Sequence, residues 1–165
     1  MGKVYSLQSV QKVPADLDAV WAFFSDANNL KAVTPPHLNL KVTNNVYGDA
    51  VYAGQVMTYT VKPLLGIPLS WMTEITHVAE GRYFVDEQRK GPYKLWHHQH
   101  HFKAIEGGVE MTDIVHYRLP LGVLGSLAHG LIVKKELQKI FAYRYQKVAA
   151  LFGCWEGEGV TLRFQ

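Results

Sequence analysis

The sequence predicts an α+β domain in which one curled antiparallel sheet is covered by a single long C-terminal helix. Three observations carry this prediction. From Leu38 to Leu119, strand-like runs are separated by short turn signals, among them Gly48-Asp49, Glu80-Gly81, Gly91-Pro92 and Gly107-Gly108, so successive strands pair as a meander. Behind the meander, the segment from about Leu124 to Phe152 has no proline, has no glycine after Gly130, and repeats apolar residues at helical spacing. In front of it stand one strand and two short helical segments.

Taken in order, Val4 to Val13 reads as the first strand, with Val4, Leu7 and Val10 loosely alternating and Pro14 ending it. Asp16 is then an N-cap, and Leu17, Val20, Trp21, Phe23 and Phe24 fall on helical spacing. A second short helix, Ala27 to Val33, stops before Thr34-Pro35-Pro36, because prolines cannot continue it. The meander strands are Leu38–Asn44, Gly54–Lys62, Leu69–Val78, Arg82–Arg89, Tyr93–Ala104 and Val109–Leu119, which makes about seven strands in all. Long strands buried on one face curl, and the concave side needs a cover. At about 1.5 Å per residue the terminal helix would run some 40 Å, enough to cross the sheet. Gly122, Gly125 and Gly130 loosen its entry and make that end a candidate gate. For the tail, Val160 to Phe164 either adds a strand or packs Trp155.

Composition narrows the function classes. With 165 residues, 48% of them hydrophobic and 19% charged, the chain suits one domain with a real core. No apolar run approaches the roughly 18 residues of a membrane span. The N-terminus lacks a secretory signal pattern, and the single cysteine, Cys154, excludes an internal disulfide framework, so a reducing cytoplasm is expected. The net charge of +3 comes mostly from Lys134, Lys135, Lys139, Arg144 and Lys147 against Glu136. These residues are read as the solvated face of a helix, and no nucleic-acid partner is expected.

The stretch from Phe84 to Phe102, FVDEQRKGPYKLWHHQHHF, carries the chemistry. Strand alternation puts Phe84, Asp86, Gln88, Trp96, His98, His100 and Phe102 on one face, and Val85, Glu87, Arg89, His97, Gln99, His101 and Lys103 on the other. The first set mixes aromatic bodies with hydrogen-bonding groups, a composition suited to the wall of a pocket. His98 and His100 share a face closely enough to converge on a metal, with Asp113 or His116 as a third ligand. No further ligand follows at set spacing, so neither metal nor cofactor is expected. The same groups, Asp86, His98, His100 and Asp113, are candidates for acid/base catalysis, since a carboxylate beside an imidazole raises its pKa and sets its tautomer. Their other reading is a buried polar network that satisfies itself and holds strand register.

The order of elements, with Tyr59, Gly66-Ile67-Pro68-Leu69 to Trp71, Phe84-x-Asp86-x-Gln88, Gly91-Pro92-Tyr93, Trp96-x-His98-x-His100-x-Phe102, Asp113-x-x-x-Tyr117-x-Leu119-Pro120-Leu121-Gly122 and Ile140-Phe141-x-Tyr143-Arg144, resembles the helix-grip fold of the START-like or SRPBCC superfamily. The likeness is to its bacterial polyketide cyclase/dehydrase-like branch, which also occurs as a cell-division inhibitor in epimerase fusions. It covers about Lys3 to Gly153, so residues 1–153 are expected as one domain and 154–165 as a C-terminal tail. It implies a hydrophobic cavity between the sheet and the last helix.

The residues themselves point to the same cavity. Trp21, Phe24, Tyr59, Trp71, Phe84, Trp96, Phe102, Tyr117, Leu131 and Phe141 exceed what a thin sheet-on-helix layer needs, and Asp86, Gln88, His98 and His100 would orient a ligand's oxygens. Three functions fit. The first is binding of a small hydrophobic molecule, such as a lipid, isoprenoid, polyketide or aromatic compound. A cyclase, dehydratase or isomerase using the Asp/His cluster is the second. The third is an interaction module whose exposed helix face meets a protein partner.

Overall fold

The computed structural model describes residues 2–44, 50–62, 67–120 and 132–165. Its framework is an antiparallel sheet of β1 (Tyr5–Val13), β2 (Lys41–Val42), β3 (Val56–Val61), β4 (Leu69–Ala79), β5 (Tyr83–Lys90), β6 (Leu95–Ile105), β7 (Gly108–Arg118) and β8 (Thr161–Phe164). The spatial order is β2-β3-β4-β5-β6-β7-β1-β8. Strands β2 to β7 form the expected meander. β1 then pairs with β7 over its full length, from Tyr5 opposite Tyr117 to Val13 opposite Val109.

The last strand resolves the tail. β8 pairs antiparallel with β1, Leu7 opposite Phe164, so the sheet has eight strands and β1 is not an edge. Trp155 packs as well: Lys12 Nζ lies 5.8 Å from its ring centroid, and Lys12 also reaches Glu158 at 2.8 Å. Of the two alternatives for Val160 to Phe164, the added strand is the one realised, and Trp155 meets Lys12 instead.

Helix α1 (Leu17–Ser25) buries Val20, Trp21 and Phe24. The segment expected as a second helix is instead a tight 3-10 turn, Ala27–Lys31, in which the Asp26 carboxylate accepts from Asn28 N–H at 2.9 Å. So short a segment cannot repay the nucleation of an α-helix, and the tighter turn is what its cap selects. The strand expected at Leu38–Asn44 shrinks to β2. Pro36–Leu38 forms another 3-10 turn, and Asn39, at φ 45°, redirects the chain before pairing begins. In β1, burial alternates through Tyr5, Leu7, Ser9, Gln11 and Val13, so Val10 lies on the opposite face from the one it was expected to help define.

The terminal helix α2 (Lys134–Phe152) turns Leu137, Phe141 and Val148 into the core and ends at Gly153, φ 98°. The expected start at Leu124 and the glycine gate lie outside the described residues. Two apolar clusters result. One centres on α1, β5, β6 and β7 through Val20, Trp21, Phe24, Phe84, Phe102 and Met111, and the other on β1, β7 and α2 through Leu7, Val115, Tyr117, Leu137 and Phe141. Burying side chains of this size contributes about 1.5–3 kcal/mol each. Irregularities in the β4/β5 pairing at Met72/Thr73 and Ile75/His77 add twist and deepen the curve of the sheet. Among the described residues no helix is long and apolar enough to cross a membrane.

Candidate functional site

A cavity of about 470 Å³ lies between the sheet and α2, with walls drawn from both apolar clusters. One wall is aromatic. Trp71 stacks on Tyr59 at 6.0 Å and meets Trp96 edge-on at 5.5 Å, while Tyr93 lies 4.8 Å from Trp96. The Tyr59 hydroxyl is anchored 2.9 Å from Thr73 Oγ1. Opposite them stand Val133, which precedes α2, and Glu136, Leu137, Ile140, Phe141 and Arg144 of the helix itself. Glu136 also binds His37 Nε2 at 2.5 Å, which ties the Pro36–Leu38 turn to the helix.

The polar end of the cavity is built by strand register. Asp86 is opposite His98, and His100 is opposite Asp113, so alternation on three adjacent strands aims all four side chains at one point. Asp86 Oδ2 lies 2.9 Å from His100 Nε2 and 3.5 Å from His98 Nδ1. On the far side, Asp113 Oδ1 accepts from His98 Nε2 at 3.1 Å and lies 2.9 Å from His100 Nδ1. The two imidazoles are 3.8 Å apart between centroids, and Phe84 stacks on His100 at 4.2 Å. His98, His100 and Asp113 are all buried.

Arg144 completes the cluster from α2. Its Nη2 reaches Asp113 Oδ1 at 3.3 Å and His100 Nδ1 at 3.2 Å, and its guanidinium carbon stands 5.0 Å from the Phe24 ring centroid. Two carboxylates and one guanidinium leave one negative charge, which a single imidazolium balances. Burial pushes the His98 pKa down, and the neighbouring His100 charge adds to that. Burial opposes ionisation of His100 too, yet its contacts with Asp113 and Asp86 outweigh it and raise the pKa. Burial likewise works against the two carboxylates. Arg144 nevertheless holds Asp113 well below the usual range, and the His100 hydrogen bond lowers Asp86. The two imidazoles are thus shifted in opposite directions, His98 down and His100 up, so proton uptake is favoured at His100.

Of the residues expected at the ligand site, Tyr59, Trp71, Phe84, Asp86, Trp96, His98, His100 and Phe141 line the cavity. Three do not. Gln88 turns back to the β5–β6 connection, donating to Tyr93 O at 2.7 Å and accepting from Tyr93 N–H at 3.2 Å. Phe102 is spent on the core, 5.5 Å from Trp21. Tyr117 is fully buried against Tyr5 at 5.7 Å. Asp113 sits behind the histidines, and Leu131 lies outside the described residues.

His97, His101 and Lys103 point to the other face, where His97 Nδ1 meets Glu87 at 2.9 Å and its ring lies 6.3 Å from His116. His116 is thus no partner of His98 and His100. Asp113 and Asp86 both stand close to the two rings, on opposite sides of them, and the donor atoms of Asp86, His98 and His100 lie within 4.8 Å of one another.

Arg144 does not belong to the solvated basic face expected of the helix lysines: its side chain is only 13% exposed and turns to Asp113. The signal was present in the helical spacing, because Leu137, Phe141, Arg144 and Val148 form one stripe at intervals of four, three and four. Trp71 Nε1 and Arg144 Nε are buried with no hydrogen-bond partner among the described residues.

No family model matches the chain, and no curated protein matches it in sequence. Solved structures do. Protein CV1439 from Chromobacterium violaceum superposes with a TM-score of 0.68 at 10% identity, covering 90% of this chain and 96% of that one. Ginseng major latex-like protein 151 from Panax ginseng gives 0.66 at 13% identity, with 92% and 99% covered. A nucleoside-diphosphate sugar epimerase from Corynebacterium glutamicum gives 0.58 at 22% identity, with 87% of this chain aligned to 28% of that chain. At these identities the likeness shows the fold, which is the helix-grip fold: a curved antiparallel sheet closed by its C-terminal helix.

Proposed function

We propose that this protein is a START-like, SRPBCC-superfamily binding module for a small hydrophobic molecule, such as a lipid, isoprenoid, polyketide or aromatic compound. The observation that carries the reading is the cavity, about 470 Å³ of mostly apolar wall with one ionic cluster at its end. A volume of this order suits a small-molecule ligand, and a few convergent polar groups set its orientation. Asp86 and the buried Trp71 Nε1 are the groups for a ligand's hydroxyl and carbonyl oxygens. We place the protein in a reducing cytoplasm on the strength of its lone, exposed Cys154.

Native mass spectrometry after mild purification, with displacement of an environment-sensitive naphthalene dye, tests this. A co-purified lipophile or saturable dye binding is expected, with affinity lowered by roughly 1–3 kcal/mol in His98→Ala, which leaves buried groups unpaired. An empty chain that also fails to bind dye overturns it.

A catalytic reading, as a cyclase, dehydratase or isomerase, draws on one further observation. Asp86, lowered in pKa and lining the cavity beside a His100 raised in pKa, is a base paired with an acid. Exchange of an α-proton of a bound ketone into deuterated water, lost in Asp86→Asn, would establish this reading over plain binding.

A further inference from the structure

We propose that Asp86, His98 and His100 form a binding site for one divalent transition-metal ion of borderline softness, such as Zn²⁺, at the polar end of the cavity. This goes beyond the lipophile-binding reading and does not depend on it. The first argument is metric. Zinc bonds to imidazole nitrogen and carboxylate oxygen are about 2.0–2.2 Å long, so neighbouring ligand atoms of a tetrahedral site lie roughly 3.3–3.5 Å apart. Asp86 Oδ2 is 2.9 Å from His100 Nε2 and 3.5 Å from His98 Nδ1. These two distances bracket the tetrahedral spacing, and the two imidazole nitrogens lie within 4.8 Å of each other, so the three donors surround one point.

The second argument is how the rings are held. A ligating histidine usually presents its other nitrogen to a carboxylate or carbonyl, which orients the ring and fixes its tautomer. Here one atom serves both rings: Asp113 Oδ1 is 3.1 Å from His98 Nε2 and 2.9 Å from His100 Nδ1, the nitrogens turned away from Asp86. Arg144, 3.3 Å from the same oxygen, offsets the charge of that supporting carboxylate. All four strand residues sit on β5, β6 and β7 in a stretch of unbroken register, a rigid base for a site.

The donor set also selects the ion. Two imidazoles and one carboxylate suit zinc, iron, nickel or cobalt, whereas magnesium and calcium call for oxygen ligands. With neutral imidazoles, a divalent ion, Asp86, Asp113 and Arg144 sum to one positive charge. A fourth coordination position on the cavity side would therefore take an anionic oxygen, from water or from an enolisable ligand. The other histidines of β6 and β7 face away from this site. His97 and His101 are engaged with Glu87 and Gln99 on the outer face, and His116 points there as well.

The experiment uses the full chain, stripped with a chelator and titrated with Co²⁺ alone, reading the visible d–d absorption of a low-coordinate site, followed by displacement with Zn²⁺ and elemental analysis. One equivalent is expected. Asp86→Asn should lose the absorption band, Asp113→Asn should weaken binding by about 10–100-fold, and the outer-face double variant His97→Gln/His101→Gln should bind as the parent does. Should Asp86→Asn fail to fold, paramagnetic broadening in the parent decides: signals of Phe84, stacked on His100, must broaden before those of His97. A parent chain that takes up less than half an equivalent, an Asp86→Asn chain that folds and binds undiminished, or a site lost with the outer histidines overturns the proposal.

Discussion

Asp113 holds three cationic or polar neighbours at once, His98, His100 and Arg144, and of these only Arg144 carries a permanent charge. Replacing Arg144 with Met would leave the buried Asp113 carboxylate without its permanent counter-charge. Breaking one partner of a buried pair costs about 3–5 kcal/mol, so the urea midpoint should fall sharply. An unchanged midpoint would return Arg144 to the solvated face. Trp71 offers the complementary case, because its indole N–H is buried with no partner among the described residues. Trp71→Phe removes that donor while keeping most of the ring. Stability should hold or rise, whereas affinity for a ligand bearing a carbonyl should drop by about 1 kcal/mol, measurable by calorimetry. Equal affinity would show that the indole N–H does not meet the ligand.

At the level of elements, the sheet and α2 hold one another through few, deeply buried side chains. Leu137 is only 2% exposed, at the N-terminal end of the helix's inner stripe. Leu137→Asp buries an uncompensated charge and should cost several kcal/mol, seen as a large fall in melting temperature. No fall would mean that the helix is not docked as described. Where β7 begins, Gly108 passes Val13 so closely that an added Cβ would lie 2.0 Å from its carbonyl oxygen. That obstacle is backbone in a paired strand and cannot turn aside. Gly108→Ala should therefore cost on the order of 3 kcal/mol, and a chemical-denaturation curve matching the parent's would show that β1 and β7 part easily.

For the whole molecule, the placement of tyrosines makes stability depend on alkaline pH. Burial raises the phenols of Tyr59, Tyr93 and Tyr117 above their ordinary range, and Asp86, Tyr117 with Glu136, and Tyr5 respectively add to it. In the unfolded chain these groups ionise near pH 10. Their contribution is thus fully present below about pH 10 and is lost as pH rises further, since the unfolded state then releases protons that the folded state retains. Absorbance of phenolate should develop in two stages, with the second coinciding with loss of near-ultraviolet circular dichroism. A single stage completed while the fold persists would show that these rings are accessible.

Much of this architecture was legible in the chain itself, because strand alternation and helical spacing are local and repeat. The meander, the inward set of Trp96, His98, His100 and Phe102, the first helix and the terminal one follow from periods of two and 3.6 residues. Other features needed the tertiary structure. Local pattern shows which face a residue occupies but not which layer of that face it reaches. So Gln88 turns to its own loop, Phe102 fills the core, and eight of the expected lining residues border the cavity. Arg144 enters from a helix more than thirty residues beyond Asp113, a distance across which no sequence spacing operates, and only the docking of α2 on the sheet brings the two together. The same holds for Asp86, whose meeting with His98 and His100 depends on β5–β6 register, and for β8, whose pairing with β1 joins the two ends of the chain. Periodicity is written residue by residue, whereas register and docking are decided by the packing of the whole core.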